Sequence, residues 1–350
     1  MMTLPCTFTP GFHRENEIAK IKYNVLGSTG LQVSNLSLGT GGFSYFYGEY
    51  SLEECKLVVE EALKSGINYI DTGPWYGHGV SEQILGKCLK NIPRSAYYIA
   101  TKVGRYEADP KRMFDFSAEK TRKSVENSLK VLGVDYIDIM QVHDVEFAPS
   151  LDIVLNETLP TLQEFVKEGK IRYIGVTGYP NSVLKEVIEK SNKINCVLSY
   201  TRLTMIDQSL KQFIPFYKSK NVGIINASVH GMGLLTNSGP PAWHPAPESL
   251  KIICANAAKF CKENDVELGR LAVYFALQEE GPSTILCGTN TRDLLRKNVD
   301  VVKNGLNAKE LKIYGEVRER FFNNLQNTHW EGIELEKFRS ESFVFSTNQK

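Results

Sequence analysis

"YIDTGPWYGHGVSEQILGKCL", residues 69–89, is the stretch on which the fold turns. An apolar run, Asn68–Asp71, ends on an acid, the chain breaks at Gly73 and Pro74, and a helical pattern starts near residue 80. A surface used only for packing has little need of Asp71 at a strand tip with Tyr76 following in the next turn. A reaction centre does.

The same strand–break–helix unit recurs along the chain. Apolar runs rich in Ile, Val and Tyr fall at Leu36–Gly39, Asn68–Asp71, Tyr97–Lys102, Tyr136–His143, Ile171–Val176, Cys196–Tyr200, Val222–Ser228 and Thr284–Cys287. Helical patterns lie between them, at 52–65, 80–90, 117–132, 157–168, 182–190, 208–219, 248–264 and 291–302. Ser51 with Glu54 reads as a capping box and Ser117 as an N-cap, while Gly66 and Gly133 stop their helices. The runs alternate little, as expected of a parallel sheet covered by helices.

Eight such units with no Ser/Gly-rich linker predict one α/β domain, a (β/α)8 TIM barrel. An open doubly wound sheet is disfavoured because "GTGGFSYFYGEY", residues 39–50, lacks the G-x-G-x-x-G that opens a helix. Residues 1–20 read as an irregular arm, and 21–310 as the barrel, entered by a hairpin around Gly27–Gly30. Residues 311–350 read as a tail, a helix followed by an irregular segment, with Phe321, Phe322 and Trp330 packing it on the barrel exterior.

The 350 residues are 42% hydrophobic, enough for a substantial core. Lys and Arg number 41 against 40 Asp and Glu, a balance that argues against a nucleic-acid or polybasic membrane binder. No run approaches the roughly 18 apolar residues of a membrane span, and the opening resembles no signal peptide. The seven cysteines, Cys6, Cys55, Cys88, Cys196, Cys254, Cys261 and Cys287, are scattered, without a C-x-x-C pair, and read as small core residues in a reducing compartment. A cytosolic protein with a small-molecule substrate, monomer or weak homodimer, is expected.

Three titratable residues follow directly on apolar runs: Asp71, Lys102 and His143. In a barrel these tips share one face, the one that carries chemistry, with Tyr76 entering from the loop after Asp71. An ammonium beside a phenol favours the phenolate and lowers its pKa, so Lys102, held charged by Asp71, is expected to tune Tyr76. His143 can donate a hydrogen bond that orients a substrate oxygen. Such a quartet gives a proton to, or takes one from, an oxygen on carbon. His13, His78, His143, His230, His244 and His329 show no paired spacing, so no metal site is expected. Protonating a carbonyl oxygen is useful where a hydride arrives at its carbon, which requires a cofactor such as a nicotinamide.

The chain resembles the aldo-keto reductases over roughly residues 21–305. The resemblance rests on "DTGPWYGHGVSEQILGKCL", "IATKVG", "LGVDYIDIMQVHD", "LQEFVKEGKIRYIGVTGY" and "GLLT". Within that family it is similar to the L-galactose dehydrogenases of plants, on "ATKVGRY", "FDFSAEKTRKSVENSL", "HDVEF", "VLSYTRL" and "GMGLLTNSGPPAWHPAP". It implies a (β/α)8 barrel with a nicotinamide extended across the open end. It also implies Tyr76 as proton donor or acceptor, Lys102 and Asp71 tuning it, and His143 orienting the substrate.

At the cofactor positions the pattern is broken. Where NADPH-using members carry a Lys-Ser pair and a following Arg around the 2′-phosphate, this chain has Gly288, Thr289 and Leu294. The resemblance therefore implies NAD rather than NADP, unless Arg292 or Arg296 swings in. The family's Ser-Asn near the nicotinamide is Thr177-Gly178 here, and its usual Gln is Val197, leaving Thr177 or Ser199 for that contact. Tyr200 fits the aromatic beneath the nicotinamide ring. Ser228 and Leu234 match positions near the pyrophosphate, Asn290 follows Thr289 in the last strand's loop, and Asn298 matches the adenine contact.

Phe43, Tyr45, Phe46, Trp75 and Trp243, with Tyr106 or His244, are expected to form the substrate wall, which suits a sugar ring or a simpler carbonyl compound equally well. The expected function is hydride transfer between nicotinamide and C1 of an aldose, yielding the lactone. The alternatives are an NADPH-dependent reductase of aldehydes or ketones, and a nicotinamide-binding redox sensor with slow turnover.

Overall fold

Eight parallel strands close on themselves in the computed structural model, which describes residues 4–45 and 48–347. A hairpin of β1 (Tyr23–Val25) and β2 (Gln32–Ser34) precedes them. The barrel is β3 (Leu36–Gly39), β4 (Tyr69–Asp71), β5 (Tyr98–Val103), β6 (Ile137–Val142), β7 (Ile171–Gly178), β8 (Cys196–Tyr200), β9 (Gly223–Ala227) and β10 (Thr284–Gly288). Each pairs in parallel with its sequence neighbour, and β10 closes on β3. This is the (β/α)8 TIM barrel that the eight units predict.

The helices cover the outside with one apolar face each. Leu52–Lys64 buries Cys55, Val58, Val59, Ala62 and Leu63, the i, i+3, i+4 spacing of a single stripe. Ser51 caps it through the Glu54 amide at 3.5 Å, but the expected capping box is half-formed, because the Glu54 carboxylate turns to the backbone N–H of Arg292. A helix at Leu268–Gln278, absent from the expected set, supplies the crossover into β10. It is buried on nearly every side, at Leu268, Gly269, Leu271, Ala272, Val273, Phe275 and Ala276, which blurs the amphipathic period that marks its neighbours.

The hairpin plugs the end of the barrel where the strands begin. Leu26, Leu31 and Val33 pack on the interior layer of Tyr69, Tyr98, Ile139, Cys196, Ile225 and Leu286. Its backbone lies so close to β9 that a Cβ on Gly27 would fall 2.1 Å from the Gly223 nitrogen. The hairpin seals this end, and the polar residues of the strand tips stand at the opposite one, where the strands finish.

The tail differs from the expectation of a helix and an irregular exterior segment. Ala308–Val317 is a helix on the exterior, continued by a wider turn through Phe322, but a second helix follows at Ile333–Thr347. Between them the chain crosses the open end of the barrel. Asn327 accepts the Gln208 amide at 2.9 Å, the Trp330 amide donates to the Tyr179 hydroxyl at 2.9 Å, and Glu331 pairs with Arg202 at 3.0 Å. Among the described residues no helix is long and apolar enough to cross a membrane.

Candidate active site

Strand alternation builds the centre. The inward positions that carry Tyr69, Tyr98 and Ile139 in the apolar layer carry Asp71, Lys102 and Gln141 toward the open end. Lys102 and Asp71 are both 1% exposed and form an ion pair, and the Lys102 ammonium also donates to the Thr72 carbonyl at 2.6 Å. Gln141 donates to the second Asp71 oxygen at 2.7 Å. It has room to do so because Gly175 faces it: a Cβ there would stand 3.0 Å from the Gln141 Cγ. Burial works against the Lys102 charge, but the Asp71 carboxylate and Tyr76 beside it outweigh that cost and raise its pKa above that of an ordinary lysine.

Tyr76 comes from the turn after β4, with its amide on the Gly73 carbonyl at 3.1 Å. The Lys102 ammonium lies 4.7 Å from its ring centre, and the His143 ring meets it edge-on with centres 5.9 Å apart. The phenol does not titrate as the sequence suggests. Burial pushes its pKa up, the Asp71 charge adds to that, and the Lys102 ammonium only partly offsets them. Tyr76 is therefore protonated in neutral solution. His143 is held neutral, its pKa lowered to about 3 by burial and by the Lys102 and Arg105 charges, with Asp144 opposing. Its Nδ1 is buried without a partner.

Beside this quartet lies a second charged pair that sequence reasoning missed. Arg105 donates to Asp144 at 2.7 Å and lies over the Trp75 ring at 4.1 Å. Asp144, with φ of 49°, is fixed by Thr177, whose hydroxyl accepts its backbone N–H at 3.1 Å. Gln141 could have been found, since it stands two residues before His143 on the same strand face. Arg105 is on a loop and carries no periodic signal.

The expected cofactor positions fall on the adjoining arc of the rim, from β7 through β10. Thr177 faces inward at the tip of β7, and Tyr200 is half-buried at the tip of β8, its ring 5.5 Å from Tyr179. Ser199 is not brought to the mouth: alternation puts it with Val197 on the helix side, where its Oγ is buried and unpaired. Ser228 uses its Oγ on the Met232 amide at 3.4 Å, and Leu234 is buried nearby. Thr289 and Asn298 are buried, Asn290 lies against Gly42, and Gly288 is bare, with nothing within 4 Å of where a Cβ would stand. These positions follow the ends of β7 to β10, on the same end of the barrel as Tyr76, and bare Gly288 leaves space where a side chain would stand. The quartet itself can move a proton but holds no electrons to give, so its chemistry fits a hydride-carrying cofactor.

Neither flanking arginine is at liberty at these positions. Arg292 gives its backbone N–H to Glu54 at 2.8 Å, with its guanidinium on the same carboxylate, and Arg296 is bidentate on Glu61 at 2.6 and 2.9 Å.

Of the expected substrate wall, Trp75 is at the site, sandwiching Arg105 with Phe114. Phe43 is fully buried in the core, Tyr45 is exposed against Tyr50, Trp243 is exposed, and Phe46 lies outside the described residues. Tyr106 spends its hydroxyl on the Gly104 amide, and His244 holds the Gly231 carbonyl and packs on Trp330. Six of the seven cysteines are buried; Cys6 is exposed. Among the described residues no group of three or more His, Cys, Asp or Glu could hold a metal.

Comparison with known proteins agrees with this geometry. The aldo/keto reductase family profile matches residues 35–319. The chain is 41% identical over 289 residues to an L-galactose dehydrogenase of Arabidopsis thaliana, covering 81% of this chain and 89% of that one. It is 31% identical over 293 residues to a D-arabinose 1-dehydrogenase of Saccharomyces cerevisiae, covering 78% and 85%. A solved aldo-keto reductase from Bacillus halodurans, in its holo form, superposes with a TM-score of 0.68 at 27% identity, covering 85% and 96%. With a closed barrel, a Tyr–Lys–Asp–His cluster at its open end and a profile match spanning most of the sequence, the chain belongs to the aldo/keto reductase family and is a nicotinamide-dependent oxidoreductase.

Proposed function

We propose that the protein oxidises the anomeric carbon of an aldose to the lactone, with L-galactose as the leading substrate and NAD as the preferred cofactor. The observation that carries the chemistry is the buried Lys102–Asp71 pair against Tyr76, with neutral His143 edge-on to the same ring. The aldose reading is supported by similarity to two sugar 1-dehydrogenases.

A bound nicotinamide supplies the chemistry of hydride uptake. For oxidation Tyr76 first gives up its own phenol proton to water, and the phenolate then takes the proton of the anomeric hydroxyl as that oxygen becomes a carbonyl. Lys102 stabilises the phenolate that this requires, and Asp71, held by Gln141, keeps Lys102 charged and in place. His143 orients the substrate oxygen without competing for its proton. In the reverse direction the protonated Tyr76 is already the acid. Thr177 and Tyr200 would hold the nicotinamide end, and Gly288, Thr289, Asn290 and Asn298 the adenosine end.

The preference for NAD rests on charge. A 2′-phosphate needs positive groups, and the two arginines nearest to its expected place are neutralised by Glu54 and Glu61 on the neighbouring helix. Initial rates with L-galactose and a panel of aldoses, each with NAD and with NADP, test the reading against aldehydes with NADH and NADPH. Rapid NAD reduction on a sugar upholds it. Silence on every sugar with brisk NADPH oxidation on aldehydes overturns it.

A further inference from the structure

We propose that the Arg105–Asp144 pair is a hydroxyl-reading subsite that selects substrates bearing a hydroxyl on the carbon next to the reacting one. The inference deepens the function proposed above and rests on it for the position of the reacting carbon.

The pair is built, not incidental. Asp144 takes a left-handed backbone conformation, and Thr177 fixes it from the next strand by accepting its N–H at 3.1 Å and donating to its Oδ1 at 3.4 Å. Its Oδ2 takes the Arg105 guanidinium at 2.7 Å. Arg105 is clamped over Trp75 at 4.1 Å, with Phe114 and Phe147 at 5.2 and 5.6 Å. Both side chains are 17% exposed, so they are largely dried yet still reach the mouth. The Arg105 Nε is buried with no partner in the protein.

Its place decides what it reads. Asp144 Oδ2 lies 3.6 Å from His143 Nε2, too long for a hydrogen bond but the right separation for two groups that engage oxygens on neighbouring carbons. The Tyr76 ring meets that of His143 edge-on, with centres 5.9 Å apart, so Tyr76, His143 and Asp144 lie around one small region. A substrate whose reacting oxygen meets Tyr76 and His143 thus brings its next oxygen to Asp144, which accepts its proton, and to Arg105, which donates to it. Burial raises the Asp144 pKa, but the charges packed around it, the bonded Arg105 guanidinium and the Lys102 ammonium among them, leave it below the ordinary value. Other titratable groups face the pair: Lys102 also lowers the Asp144 pKa, while Glu146 and Glu334, both raised by burial, lie close enough to feel Asp144 and Arg105. An ion pair this dry is costly beside an apolar substrate and satisfied beside a hydroxyl, which is how a site rejects an analogue lacking the group.

The test uses substrate pairs that differ by one hydroxyl, in both directions: L-galactose against its 2-deoxy analogue for oxidation, and glyceraldehyde against propanal for reduction. Each pair is measured as kcat/KM with wild type, the near-isosteric Asp144→Asn, and Arg105→Lys, which keeps the charge. NAD affinity by fluorescence quenching reports that the fold and cofactor groove persist. Wild type is expected to prefer the hydroxylated member by about 100-fold or more, and Asp144→Asn to reduce that ratio below about 5-fold. Ratios that stay the same in wild type and both variants overturn the proposal. No turnover of any sugar, with the glyceraldehyde-to-propanal ratio collapsing in Asp144→Asn, upholds the subsite and overturns the aldose reading alone.

Discussion

The two ends of one barrel follow opposite rules. Where the strands begin, the interior is Tyr69, Tyr98, Ile139, Cys196 and Ile225, sealed by Leu26, Leu31 and Val33 of the hairpin. Further along the barrel strands, toward their ends, the interior is Asp71, Lys102, Gln141 and Thr177, beyond the reach of the hairpin. The first end gains stability by removing apolar surface from water. The second gives some of it up by desolvating charges that must then satisfy each other. The difference shows why one fold can carry chemistry: the stabilising layer and the reacting layer share strands but hardly share side chains.

Lys102→Met attacks the point where the two rules meet and carries the largest expected effect. It removes the charge beside Tyr76 and leaves Asp71 buried with only Gln141, so turnover is expected to vanish and unfolding in urea to show a loss of about 3–5 kcal/mol. Tyr76→Phe separates the ends cleanly. It should cost about 10³-fold in kcat while the thermal midpoint and NAD affinity stay as in wild type. A Tyr76→Phe variant that loses stability as well as rate breaks the comparison.

The converse change is Leu31→Ala in the hairpin. Chemical denaturation should show a loss of about 2–5 kcal/mol, with kcat/KM at low temperature unchanged. A large drop in kcat/KM would mean that the sealed end shapes the open one.

The smallest effect concerns Glu146, just past His143, which accepts the Tyr179 amide at 2.8 Å. Burial, with the Asp144 charge adding to it, raises its pKa to about 8. The folded state therefore holds a proton that the unfolded chain has released, and stability present at acid pH is lost as pH rises through about 8. Glu146→Gln keeps the hydrogen bond and removes this titration. Its stability to urea should match wild type near pH 5 and exceed it at pH 9, by a margin on the order of 1 kcal/mol or more, with the denaturation midpoint moving accordingly. Equal midpoints at both would show that the carboxyl is ionised in the fold.

The convergence of Asp71, Tyr76, Lys102 and His143 was legible because each member sits at a place that sequence marks: a strand tip, or the turn after one. Asp71, Lys102 and His143 follow runs whose ends the structure places within a residue of the expected ones. The supporting groups were less legible, for different reasons. Gln141 lies inside a run and is set apart only by which face it takes, whereas Arg105 and Asp144 are joined across loops by tertiary packing. Ser199 failed on the same ground as Gln141 succeeded, since one position of alternation sends it to the helix side.

Local chemistry, then, determined the strand–helix units, the (β/α)8 closure and the ends of the strands, because apolar periodicity, caps and breaks act over a few residues. Only the tertiary structure decided the charge states and the traffic of side chains. The Tyr76 phenol rose rather than fell because burial outweighs Lys102; Glu54 left its own helix to hold Arg292; and the tail crossed the open end instead of staying outside. Each depends on distances between residues far apart in the chain, and on how much water remains between them.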